Sequence, residues 1–290
     1  MTIYERRRAC RQAGTTPCLP AGRKYGDIQM GNYYLAFDIG NTQSVIGIFR
    51  DKDLIKSWRI DTIKKRTSDE YISIIDDFFR QADISAKDIK AFIVCNVVPS
   101  VSPVVNIFSA RFLNINPIEV GINMNLGIKI VIDNPKELGA DRIANAEAGF
   151  EEYGCPIIIV DFGTATTYDC VNKKGEYVGG VILPGLKISA EVLCLKTAKL
   201  PKVEIKRPAN IIGKNTIDVI NSGLFYGTIF QTEGIIGGLK RELKSSEDIK
   251  VIATGGLAGL IAKDIKNIDT IDPFLTLKGL RLILEKNIDK

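Results

Sequence analysis

Apolar and polar positions along this chain fall into one scheme that is written twice. The apolar stretch Tyr33 to Phe37 runs into Asp38, and Ser44 to Phe49 and Leu54 to Ile60 follow, parted by Asp51-Lys52-Asp53, which predicts a three-stranded meander. Thr67-Ser68-Asp69-Glu70 has the order of a capping box, and Ile72, Ile75 and Phe79 behind it share one face of the helix it opens. Ala91 to Val94 predicts a buried strand that ends in the loop Cys95 to Ser100, followed by a helix over Pro103 to Phe112 and a short strand at Ile118 to Val120. Roughly 120 residues after the first pattern, at the scale of a domain repeat, the scheme begins again. It predicts a strand Ile157 to Val160, a turn Asp161 to Thr167, a strand Tyr168 to Val171, a turn Lys173-Lys174-Gly175-Glu176 and a strand Tyr177 to Leu183. Between the halves, Leu138-Gly139-Ala140-Asp141-Arg142 leads into a helix from Ile143 to about Tyr153, in the position of a crossover. Near the end, the strand Val251 to Thr254 breaks at Gly255-Gly256 before a helix from Leu257, and the glycine pair leaves room for the close approach of a ligand. The expected organisation is an α/β protein with an appendage at residues 1–29, a first domain at 30–140 and a second at 141–290.

Composition narrows the functions this scheme can serve. The chain has 290 residues, 45% hydrophobic and 25% charged, enough for two modest cores. Its net charge of +5 is concentrated in residues 1–29, where Arg6, Arg7, Arg8, Arg11, Arg23 and Lys24 face only Glu5 and Asp27. The body is thus close to neutral and has no basic stripe interleaved with aromatics, so no nucleic-acid partner is expected. No apolar run reaches the roughly 18 to 20 residues of a membrane span, so no membrane partner is expected either. The first 29 residues suit a vector remnant, an upstream start or an Arg-rich targeting segment. Six cysteines without a C-x-x-C pair fit free thiols in a reducing cytoplasm, and Cys95, Cys155 and Cys170 sit in or beside apolar runs, where an inert thiol is the commoner case. The absence of histidine removes Ser-His-Asp and Cys-His hydrolysis, His-ligated zinc and any His base, leaving acid-base chemistry to carboxylates.

The two meanders share a chemical signature at their first turns. Asp38-Ile39-Gly40-Asn41-Thr42 and Asp161-Phe162-Gly163-Thr164-Ala165-Thr166-Thr167 each bring a carboxylate, backbone N–H groups and hydroxyls to one point after an apolar strand. That combination suits the phosphates of a metal-bound nucleotide. Gly213-Lys214-Asn215-Thr216 is no P-loop, since Pro208 stands where the first glycine belongs, and no G-x-G-x-x-G follows a strand. Facing turns, a late Gly-Gly pair and an Asp-Arg pair at a helix start suit phosphoryl transfer, in which one carboxylate accepts the proton of the attacking hydroxyl. Asp141 is the candidate base. Arg142, a cation where the helix dipole favours an anion, is the candidate partner of a substrate carboxylate or phosphate.

With these residues in hand, the chain from about Met30 onward resembles the type III pantothenate kinases. The likeness rests on Asp38 to Thr42, Val97-Val98-Pro99, Asp133-Asn134-Pro135, Gly139-Ala140-Asp141-Arg142, Asp161 to Thr167, Gly179-Gly180 with Pro184-Gly185, Gly213-Lys214-Asn215-Thr216 and Thr254-Gly255-Gly256, all in the family's order. It implies two duplicated ribonuclease-H-like domains of the actin-like ATPase fold, with the nucleotide cleft between them. It further implies ATP contacts from Asp38, Ile39, Gly40, Asn41, Thr42, Gln43, Ser44, Val45 and Thr164. Asp161 would hold a monovalent cation, K⁺ or NH₄⁺, and Mg²⁺ would accompany ATP. Gly139, Ala140, Asp141, Arg142 and Thr216 would contact pantothenate, with Asp141 as base, in a homodimer whose substrate pocket is completed across the interface. The chain departs from the pattern at Ile132, often a tyrosine facing the substrate, and in the extension before Met30. The competing readings are another small-molecule kinase on this fold, acting on a sugar or polyphosphate, and a nucleotide-binding regulatory protein. Arg142 argues against a neutral sugar, and the intact set Asp38, Asp141 and Asp161 argues against loss of chemistry.

Overall fold

The computed structural model describes residues 33–244 and 248–288. The expectations for residues 1–29, including Cys10 and Cys18, lie outside the described residues.

The first meander forms as expected: β1 (Tyr33–Ile39), β2 (Gln43–Arg50) and β3 (Asp53–Asp61) pair antiparallel in sequence order. Helix α1 (Ser68–Ala82) starts on the predicted box, with Thr67 as N-cap accepting from the Glu70 N–H and the Glu70 carboxylate accepting from the Thr67 N–H at 2.7 Å. Its buried stripe is Tyr71, Ile75 and Phe79, while Ile72 is only half-buried. After β4 (Ile89–Asn96), helix α2 (Ser102–Phe108) stops short of the predicted Phe112 because the chain widens into a π turn over Ser109–Leu113. Two short strands follow, β5 (Ile118–Glu119) and β6 (Lys129–Ile130), and then α3 (Ala140–Tyr153).

The second meander is β7 (Ile157–Phe162), β8 (Ala165–Val171) and β9 (Glu176–Pro184). Most of the predicted turn Asp161 to Thr167 is therefore strand, with only Gly163 and Thr164 between β7 and β8, because Asp161 and Phe162 pair with Thr167 and Thr166. Helices α4 (Leu186–Lys196) and α5 (Thr216–Leu243) come next, then β10 (Lys250–Thr254), α6 (Ala258–Ile261), β11 (Thr270–Ile271) and α7 (Leu275–Asn287).

The duplication is explicit in the strand orders. The first sheet reads β3-β2-β1-β4-β5 and the second β11-β10-β7-β8-β9-β6. Read from β9, the second repeats the first strand for strand, with β6 added beside β9. In each half the first strand is antiparallel to the second and parallel to the fourth. These are two ribonuclease-H-like halves, the arrangement of the actin-like ATPases.

The period of two along β1 decides what packs where. Leu35, Phe37 and Ile39 face α1 and α2 with Phe92, Val94 and Phe108, whereas Ala36, Phe49, Ile93 and Cys95 face α3 and α7. Sheet two divides likewise: Ile157, Ile159 and Val171 join the α3/α7 layer, and Ile158, Val160 and Cys170 meet α4, α5 and α6. Helices α3 and α7 thus form the apolar layer between the sheets. The contact is close enough that a side chain at Gly279 of α7 would strike the backbone of Ala144 in α3. Cys95 and Cys170 are buried as expected, but Cys155 is only half-buried.

Candidate active site

The two Asp/Gly/Thr turns are built alike and meet. In the first, Gly40 N–H donates to the Gln43 carbonyl at 3.1 Å; in the second, Gly163 N–H donates to the Ala165 carbonyl at 3.1 Å. Thr42 and Thr164, one from each half, share a hydroxyl-hydroxyl hydrogen bond of 2.9 Å. Of the segment expected to meet ATP, Asn41 and Thr42 are exposed, Asp38, Gly40, Gln43 and Val45 are half-buried, and Ile39 and Ser44 are buried. The buried pair serves the fold: Ile39 packs in the first core, and Ser44 shares a 2.8 Å hydrogen bond with Thr62.

Three carboxylates gather behind these turns. Asp38 is the penultimate residue of β1, Asp161 is the penultimate residue of β7, and Asp141 lies in the first turn of α3. Burial, followed by repulsion from Asp141 and Asp161, raises the Asp38 carboxyl to about 7. Burial and then repulsion from Asp141 raise Asp161 to about 7 as well, against a stabilising bond from Asn145. Burial also raises Asp141, opposed by the Arg142 backbone N–H, which donates to its Oδ1 at 2.8 Å. Gly139 is the N-cap and Ala140 the first residue of α3, and the missing side chain at Gly139 leaves space for the Asp141 carboxylate, whose Oδ1 would lie 2.5 Å from a Cβ there.

Several side chains that hold this cluster were not singled out from the sequence. Asn145, one turn beyond Asp141 and buried, donates through Nδ2 to Asp161 Oδ2 at 3.0 Å and accepts from Thr276 Oγ1 at 2.8 Å. Its i+4 spacing from Asp141 was a legible signal; Thr276, on α7, offered none. Arg59 of β3 favours the ionised forms of Asp38 and Asp161, donates to Gln43 Oε1 at 3.4 Å, and stands 3.4 Å from where a Cβ on Gly256 would be. The glycine pair does provide a close approach, but what approaches Gly255 is the chain itself. At φ +94 its absent Cβ would collide with Asp161 Oδ1 and the Phe162 backbone.

The Arg142 guanidinium pairs with Asp169 of β8 rather than with the adjacent Asp141. Its Nε donates to Asp169 Oδ1 at 2.7 Å, with Arg142 16% exposed and Asp169 wholly buried. Thr216 stands apart: it is exposed in the first turn of α5, and no hydrogen bond ties it to the other site residues among the described residues. The Gly213-Lys214-Asn215-Thr216 run is a helix start, with Asn215 Oδ1 accepting from the Asp218 N–H at 3.0 Å. Ile132 lies beside the glycine pair of β9, its Cγ2 4.0 Å from where a Cβ on Gly179 would be.

Comparison with known proteins bears on what such a cleft does. Residues 34–237 match the family described as type III pantothenate kinase. The type III pantothenate kinase of Citrifermentans bemidjiense is 50% identical over 253 residues, covering 87% of this chain and 99% of that protein. That of Geotalea uraniireducens is 47% identical over 253 residues, covering 87% and 98%. Among solved structures, the ethanolamine utilization protein EutJ from Carboxydothermus hydrogenoformans superposes with a TM-score of 0.52 at 13% identity, covering 87% of this chain and 89% of its own, a likeness of fold alone.

Proposed function

This chain belongs to the type III pantothenate kinase family, and we propose that it transfers the γ-phosphoryl group of ATP to the terminal primary hydroxyl of pantothenate, the first step toward coenzyme A, in the cleft where its two meanders meet. The observation that carries this reading is the Thr42 to Thr164 bridge, backed by three half-buried carboxylates, two of which are raised by desolvation and by the charge of the third, Asp141. Such a cleft has donors for phosphate oxygens on its rim and a base behind them.

The chemistry follows from the residues. Backbone N–H groups and hydroxyls of the two turns hold the ATP phosphates, with Arg59 adding positive charge at the same rim. Asp141 accepts the proton of the attacking hydroxyl; its raised pKa makes it a better proton acceptor than a solvated aspartate. Arg142 meets the carboxylate, the one anionic group of pantothenate. The donor set also fits the cations that accompany such a reaction: Asp38 and Asp161 are hard oxygen ligands in an acidic cleft countered by Arg59. Asp38 and Asp161 would hold such an ion, with phosphate oxygens and water as its further ligands, as Mg²⁺ prefers. Bound there, Mg²⁺ and a monovalent ion at Asp161, K⁺ or NH₄⁺, supply neutralising charge to the phosphates.

A homodimer is part of the same reading. Helices α4 and α5 pack on one another and leave Val192, Leu195, Val219 and Phe230 exposed, with Ile211 and Ile212 just before α5. Thr216 lies on this apolar face, so its proposed contact with pantothenate is made across the interface, in the partner's pocket. A cytoplasmic location rests on the four described cysteines being free; no described helix is long and apolar enough to cross a membrane.

The test is ADP release from ATP and Mg²⁺, with and without pantothenate, in potassium buffer and again in sodium. Release that requires pantothenate and falls in sodium is the expected result. Release indifferent to pantothenate in both salts overturns the assignment of substrate.

A further inference from the structure

The strongest unassigned constellation is the one that grips Arg142. Asp169, in the middle of β8, has no solvent exposure, yet it carries a carboxylate into the core. Its Oδ1 accepts from Arg142 Nε and from the Tyr177 hydroxyl, both at 2.7 Å, and its Oδ2 accepts from Thr167 Oγ1 at 3.3 Å. The guanidinium carbon lies 6.0 Å from the centroid of the Tyr177 ring, within cation–π range. On another side is Gly180 of β9, where a Cβ would sit 2.9 Å from Arg142 Nη2 and would collide with the Tyr168 carbonyl. The guanidinium is therefore bounded by a buried carboxylate at its Nε edge, an aromatic ring and a bare stretch of strand.

A buried carboxylate costs free energy unless its bonds are used, and replacing it by an apolar residue is the usual remedy where only stability matters. Here one bond of Asp169 holds an arginine, and the bonds from Tyr177 and Thr167 hold the carboxylate that does so. An arginine held through Nε has its side-chain torsions set and leaves the Nη pair as the recognition edge, the geometry that meets a carboxylate with two parallel bonds. Without that hold the long side chain would have to be ordered at each binding event, which weakens affinity.

We propose that Asp169 and Tyr177 are positioning residues that preset Arg142 for the carboxylate of the acceptor substrate, and so set the enzyme's preference for an anionic acceptor over its neutral counterpart. This rests on the reading of Arg142 as the substrate's anion partner. It assigns a role to two residues that touch no substrate themselves.

The experiment compares pantothenate with pantothenyl alcohol, in which a hydroxymethyl group replaces the carboxylate, as acceptors for the full-length enzyme and for Asp169→Asn and Tyr177→Phe. Asp169→Asn keeps the shape and removes the charge; Tyr177→Phe keeps the ring and removes one bond. Wild type should favour pantothenate in kcat/KM. In both variants that preference should fall about 10-fold or more, the scale of a lost charge-assisted bond, with the loss residing in KM for pantothenate rather than in kcat. Thermal unfolding followed by circular dichroism identifies a variant that has failed to fold, in which case the other decides. Variants that keep the wild-type preference, or that lose both acceptors in proportion, overturn the positioning role. A wild type that turns over neither acceptor overturns the kinase reading itself, and one that uses both equally overturns the role of Arg142.

Discussion

At the scale of single residues, the site is an electrostatic problem that Arg59 eases and bound cations would solve. Asp38 and Asp161 are held near 7 by burial and by the charges of neighbouring carboxylates, Asp141 foremost. Both must be ionised to hold cations, so kcat/KM should rise with pH through about 7 and level off above it. The same shifts cost stability in the ligand-free protein. A carboxyl whose folded pKa is raised above its unfolded value favours the fold at low pH, and that contribution is lost as pH climbs from about 4 to about 7. Asp141→Asn should lower turnover about 10² to 10⁴-fold while the protein folds, as for a lost general base. Because Asp141 is among the charges that raise its two neighbours, the acid limb of the residual activity should also move to lower pH. Rate-against-pH profiles of the two proteins check both points, and near wild-type turnover in the variant would remove Asp141 from its role. The sequence made this trio visible, since an acid at the end of an apolar strand or the start of a helix is conspicuous. It did not make Asn145, Asp169 or Thr276 visible as a group, because their partners lie at 16, 27 and 131 residues' distance.

At the scale of elements, each half was legible because its local signals agree: period-two alternation in the strands, a capping box at α1, glycine turns between strands. Misreadings came where pairing extends an element beyond its apolar run, as in β7, whose last two residues are recruited by Thr166 and Thr167. The turn after β10 shows what local sequence cannot say about itself. Gly255 was legible as a place of close approach, while the approaching atoms belong to β7, far earlier in the chain. Its positive φ and the nearness of Asp161 and Phe162 make it intolerant of a side chain. Gly255→Ala should cost roughly 1 to 3 kcal/mol, the range for a strained backbone position, read from the urea midpoint. A variant as stable as wild type would show that the turn relaxes freely.

At the scale of the whole molecule, the proposed dimer would account together for the exposed apolar face of α4 and α5 and for the isolation of Thr216. Leu195 and Ile212, each 79% exposed, belong with Ile211, Val219 and Phe230 to a group of exposed apolar side chains, and contiguous patches of that kind mark interaction surfaces. Ile212→Asp with Leu195→Asp should yield a folded monomer in sedimentation velocity with pantothenate-dependent turnover sharply reduced; a double variant that remains dimeric places the interface elsewhere. The sequence by itself determined the duplication, the strands of each meander and the two Asp/Gly/Thr turns, because these depend on alternation, caps and glycine chemistry between near neighbours. Only the tertiary structure decided that α7, at the far end of the chain, shares the layer between the sheets with α3, and that Arg142 answers to Asp169 rather than to Asp141. Those outcomes depend on which buried faces and charges meet across long stretches of chain, and no local pattern records such a meeting.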